Sequence, residues 1–126
     1  MLSKARGRLL NWLSAVENKQ DYLARVATAV QHLHNCAAVY RATVPVHEVF
    51  RGKTVWQGDV EVFDLTGHPK AKRAYAWSHR EGEGDQGERF VAVLEIPPVE
   101  SAVTAVRVHV VAESKRKTES EKGKLQ

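Results

Sequence analysis

Between Leu9 and Leu33 the apolar residues recur at three- and four-residue spacing, and from Ala38 onward they recur at every second position. This change of period commits the chain to a helix first and a sheet after it, because a 3.6-residue stripe faces one side of a helix and alternation faces one side of a strand. Leu9, Leu13, Val16, Leu23, Val26, Val30 and Leu33 form the stripe, with Ala24, Ala27 and Ala29 between them. The run Glu17 to Asp21 interrupts it. Asn18 and Asp21 have the spacing of a helix cap and its third-position acid, so a kink or split is expected near residue 18.

In the sheet region, Tyr40, Ala42, Val44, Val46 and Phe50 share one face of a strand over 38–50, with Arg41, Thr43 and His47 on the other. A second strand carries Trp56, Gly58, Val60 and Val62 on its even face, and pairing even with even calls for an odd number of connecting residues. Thr66 to Pro69 ends it, and a third strand runs through Ala74, Tyr75, Ala76 and Trp77. Arg80 to Glu88, rich in glycine and acid, reads as a flexible hairpin tip. Phe90 to Ile96 is a fourth strand, Pro97 and Pro98 break it, and Val103 to Ala112 reads as a fifth. The expectation is an α+β domain in which a curved five-stranded antiparallel meander packs on the N-terminal helix; a small open barrel is the alternative. In element order this resembles the cystatin-like and NTF2-like architectures. The resemblance implies a sheet that wraps its helix and leaves the wide end of the cone incompletely filled.

Strands four and five are apolar on both sides. Phe90, Ala92, Leu94 and Ile96 oppose Val91 and Val93, and Val106, Val108 and Val110 oppose Val103, Ala105 and Val111. A sheet covered on one face should be polar on the other, as Arg41, Thr43, Asp59 and Glu61 are in the first two strands. Something must therefore cover the second face: residues 3–16 or another copy of the chain. Val91, Val93, Val103, Ala105 and Val111 are accordingly expected to form a homodimer interface.

The chain has 126 residues and a formal charge of +4. That length suits one domain, expected over 1–114 and followed by a disordered basic tail at 115–126. Lys4, Arg6 and Arg8 stand without an acid in the first ten residues, and the last twelve hold five basic residues against two acids. The ends thus carry more positive charge than the whole, and the body between them is slightly acidic. A nucleic-acid role is left only as an accessory one through the ends. No apolar run reaches the roughly 18 residues of a membrane span, and the start lacks the apolar core of a signal peptide, so the chain is expected to be cytoplasmic and away from membranes. Its single cysteine, Cys36, forms no internal disulfide.

Three constellations bear on chemistry. His32, His34 and Cys36 carry metal-ligand atoms, yet residues two apart on a helix point about 200° apart, so neither a metal nor another cofactor is expected. Asp64, His68 and His79, with Ser78, are the nearest thing to a catalytic set, for a cofactor-free hydrolase or isomerase working through a histidine and a carboxylate. Tyr40, Trp56, Tyr75 and Trp77 concentrate on three consecutive strands, where rigid aromatics line either a core or a pocket for a small apolar ligand. The composite expectation is a non-catalytic binding module, with the enzyme as its rival.

Overall fold

The helical stripe and the alternation that follows it become one helix and four strands, and a second helix closes the chain. The order is α1 (Leu2–His34), β1 (Ala37–Phe50), β2 (Lys53–Thr66), β3 (Arg73–Arg80), β4 (Glu88–Leu94) and α2 (Ala102–Lys124). The computed structural model describes residues 2–80 and 88–124, with side chains for 18–79 and 88–118. The acidic tip expected at 80–88 thus falls largely outside the described residues, as do the side chains of 3–16. The strands form an open antiparallel meander in the order β1-β2-β3-β4, not a barrel.

The segment read as a fifth strand is α2. Its valines suit a strand by propensity, but Ala102, Ala105, Val106 and Val110 recur at helical spacing and pack together on the sheet. A reciprocal cap starts the helix. Ser101 Oγ accepts the Thr104 amide at 3.2 Å, and Thr104 Oγ1 accepts the Ser101 amide at 2.8 Å and the Glu100 amide at 2.9 Å. The element order that carried the resemblance to cystatin-like and NTF2-like architectures therefore does not hold. Residues 115–124, expected as a disordered tail, continue α2, where Lys, Arg and Glu favour a solvated helix and Arg116 pairs with Glu113 at 3.4 Å. α1 likewise runs without a split past residue 18 and ends at Asn35, whose φ of 51° is the left-handed conformation that stops a helix.

Each helix covers one face of the sheet. Tyr22, Val26, Ala27 and Val30 of α1 pack on Ala38, Phe63, Ala74, Ala76, Phe90, Ala92 and Leu94. On the opposite face α2 packs on Val46, Val60, Val62, Tyr75, Trp77, Val91 and Val93. This corrects the interface expectation: Val91 and Val93 pack against the chain's own second helix, to which Val103 and Ala105 themselves belong, and of that set only Val111, 53% exposed, faces outward.

Two bulges reset which residues face which helix. The β1–β2 turn has only two residues, Arg51 and Gly52, both at positive φ (53° and 76°), the geometry of the tight turn whose twist matches the strands. The pairing begins as Phe50 with Lys53 and Val49 with Thr54; Val55 is then extra, and Glu48 pairs with Trp56. The extra residue restores the even-with-even register that an odd connection was expected to supply. A second irregularity at Arg41 turns Tyr40 onto the α1 face, opposite Phe63, and away from Ala42, Val44 and Val46.

Candidate functional site

The β2–β3 pairing is short. Only Glu61 to Asp64 pairs with Ala76 to Arg73; β2 before Glu61 pairs only with β1, and β3 beyond Ala76 pairs only with β4. The sheet therefore forks between its two hairpins. α1 partly plugs the fork: the Tyr22 hydroxyl accepts the Ser78 amide at 3.2 Å, supplying the partner that β2 would otherwise have given. Ser78 Oγ also donates to Glu88 at 3.2 Å, and Arg25 reaches the same carboxylate at 3.6 Å.

What remains is a cavity of about 500 Å³, open to solvent, lined by Trp56, Gly58, Asp59, Glu61, Trp77, Ser78 and His79 of the strands and by Asn18, Lys19 and Tyr22 of α1. Two features set its chemistry. The Glu61 side chain is buried, with the residue 1% exposed, and accepts the Thr43 hydroxyl at 2.5 Å; Thr43 in turn accepts the Tyr40 hydroxyl at 2.7 Å. Trp77 is equally buried, and its Nε1 is the one buried side-chain nitrogen or oxygen among the described residues with no hydrogen-bond partner. Trp56 meets Trp77 edge-on at 5.4 Å, Trp77 meets His109 of α2 at 5.3 Å, and His79 lies 6.3 Å from His109. Burial holds the His109 imidazole below its ordinary value of 6.5; His79 and Arg116 act in the same sense, and Glu113 opposes them. Gly58 lets the Trp56 ring lie close over the strand, since a Cβ there would stand 3.2 Å from it and push the indole outward by a few tenths of an ångström.

Of the four aromatics expected to share a pocket, Trp56 and Trp77 line the fork. Tyr40 supports it only through the Thr43 relay, and Tyr75 belongs to the core, where its hydroxyl donates to Glu95. Burial, reinforced by Glu95, pushes the Tyr75 phenol up to about 12, so it stays a donor at any ordinary pH.

The expected catalytic set is not assembled. Asp64 is engaged by Arg41 at 3.1 Å and Arg73 at 3.3 Å, and the Arg41 hydrogen bond first, with Arg73, holds its carboxyl below the usual range. His68 Nδ1 accepts the amides of Lys70 and Ala71 in its own turn. His79 is at the far end of β3 from Arg73, the partner of Asp64 across the sheet, roughly 20 Å away by strand rise. His34 donates through Nε2 to the Ala92 carbonyl at 2.9 Å, and no three ligand-type residues among those described converge on a metal position. Sequence reasoning missed Glu61, read as a solvent-facing strand residue, and His109, read as part of a strand.

A second concavity of about 820 Å³ lies between the β1–β2 turn and α2, lined by Val49, Phe50, Val55, Val110, Val111 and the Glu48–Arg107 ion pair at 3.0 Å, among others. It is the larger of the two, but its ion pair is already satisfied, and none of its lining side chains is a buried polar group without a partner. No helix among the described residues is long and apolar enough to cross a membrane. Comparison with protein-family models, with curated proteins and with solved structures finds no match for this chain.

Proposed function

We propose that the chain is a non-catalytic binding module and that the fork between its hairpins is the ligand site. The observation that carries this is the open cavity bounded by two indoles and a buried carboxylate, since small-molecule sites are concave, mostly apolar and oriented by a few placed polar groups. The enzymatic alternative draws less support: Asp64, His68 and His79 each have separate local roles, and proton transfer needs its groups within hydrogen-bond reach.

A second reading, self-association, is favoured by a different observation. Val49, Phe50, Val55 and Val111 stand exposed around the larger groove, Phe50 by 62%, and a second copy of the chain is the occupant that reading names.

One experiment addresses both. Native mass spectrometry of the purified protein, with and without the neutral aromatic 2-naphthol, reports stoichiometry and ligand retention, and a thermal melt accompanies it. The expected result is a 1:1 adduct per chain and a raised melting temperature, both weakened by Trp56→Ala. No adduct and no thermal shift at millimolar probe would overturn the ligand reading. A spectrum of monomer alone at micromolar protein would overturn self-association.

A further inference from the structure

We infer that the fork selects small organic amines, the ammonium group meeting Glu61 and the body of the ligand lying against Trp56 and Trp77. This rests on the ligand-binding reading above and adds to it the charge of the ligand. The argument begins with Glu61. A carboxylate 1% exposed, whose acceptor capacity is met in the described structure by one hydroxyl, has lost most of its hydration, and burying a charge is costly unless it is paired. Among the described residues no cationic side chain lies within ion-pair distance of it. Lys19 lines the same cavity but is exposed, and no ion pair joins it to Asp59 or Glu61. A cation entering from solvent is therefore the partner this carboxylate lacks, and Asp59 on the cavity wall adds to the attraction.

The second, independent observation is the indole pair. Trp77 Nε1–H lines no hydrogen bond, although buried Trp N–H groups usually find an acceptor. Glu61 faces α1 and Trp77 faces α2, and the fork that both residues line is the gap through which one ligand meets the two. The indole faces also favour a cation over a neutral or an anionic body of the same shape. The two acids of the cavity, Asp59 and Glu61, disfavour an anionic ligand and orient an amine with its oxygen-bearing end away from Glu61.

The test uses three molecules that share one skeleton: tyramine with an ammonium group, tyrosol with a hydroxyl, and 4-hydroxyphenylacetate with a carboxylate. Each is titrated into the full chain labelled with ¹⁵N, and the indole N–H signals are followed, Trp77→Phe assigning that of Trp77. Tyramine is expected to move the Trp56 and Trp77 signals with an affinity at least about tenfold above tyrosol, the scale of one charge-assisted hydrogen bond, and 4-hydroxyphenylacetate is expected to bind weakest. Glu61→Gln, which keeps the shape and removes the charge, should bring tyramine down to the level of tyrosol. Should that variant fail to fold, Asp59→Asn, at an exposed residue, should still cost tyramine several-fold while leaving tyrosol unchanged. Equal affinities for tyramine and tyrosol would overturn the amine inference and leave the binding site standing. Preference for the carboxylate would overturn it as well. Silence of both indole signals with all three molecules would overturn inference and site together.

Discussion

The two faces of the sheet are covered by helices, but in opposite styles. Against α1 the strands bury the alanines Ala38, Ala74 and Ala76, with Ala92 beside them; Phe63 and Glu61 are their large fully buried side chains, and Leu65, Phe90 and Leu94 pack at the edges, half-buried. Against α2 they present Tyr75, Trp77, Val60 and Val62, met by the small residues Ala102 and Ala105 on the helix. The central strand β3 is thus small on one face, with Ala74 and Ala76, and bulky on the other, with Tyr75 and Trp77. Volume can be supplied from either side provided the sum fills the layer. The difference also explains where a charge is tolerated. Glu61 lies on the alanine face, beside the fork, where small neighbours and the Thr43 hydroxyl leave room for a carboxylate; the aromatic face holds the unpartnered Trp77 nitrogen but no buried charge.

The comparison breaks most easily at Trp77. Trp77→Ala deletes the largest fully buried side chain among the described residues, with its edge contacts to Trp56 and His109, and should cost about 3 to 5 kcal/mol, read by urea denaturation followed by circular dichroism. A cost below about 1.5 kcal/mol, the scale of a conservative core swap, would show that the α2 face is not where the stability concentrates. The alanine face is probed in the opposite direction. Ala76 is 1% exposed and pairs with Glu61 across the strands, so Ala76→Leu overfills a layer whose helix already lies close, and should cost about 1 to 3 kcal/mol. If leucine there is neutral or stabilising, α1 sits more loosely than the packing implies, and the contrast between the faces fails.

The same contrast shows what could be read from the sequence. α1 and the first two strands follow from period alone, because Val26, Val30, Val44, Val46, Val60 and Val62 each sit where their stripe places them. The second helix was hidden by composition: five valines in nine residues suit a strand, and the helical spacing of Ala102, Ala105, Val106 and Val110 lies beneath them. Its cap was present in Ser101 and Thr104, but with threonine in the place where the usual signature has Glu or Gln. The doubly apolar fourth strand did show that a second cover was needed, and α2 is that cover. Glu61 was not legible at all. A polar residue in alternation reads as solvent-facing, and only the arrival of α1 on that face buries it. The fork depends on how few residues β2 and β3 share, and register is a tertiary outcome that no local pattern encodes.

The smallest expected effect separates the faces by pH. His109 stands on the α2 side against Trp77, and burial lowers its folded-state value below the 6.5 of an exposed imidazole. In the unfolded chain it takes up a proton as pH falls through about 6.5, while in the folded chain it resists, so the unfolded state binds more protons in that window. Stability from this group is therefore complete above about pH 6.5 and is lost as pH falls from there to the folded value. Asp64 has the same sign for the opposite chemical reason: Arg41 and Arg73 favour its charged form, so its contribution is present above its ordinary 3.8 and is lost below it. The two losses begin at different pH, near 6.5 for His109 and near 3.8 for Asp64, which lets one titration tell them apart. The urea midpoint should be level above about pH 6.5, then fall on acidification toward pH 5, and His109→Phe, which keeps an aromatic edge on Trp77, should flatten that first fall without touching the second. A first fall of unchanged size in His109→Phe would move its origin elsewhere, and a midpoint that rises between pH 7 and 5 would contradict the burial of the imidazole against the aromatic face.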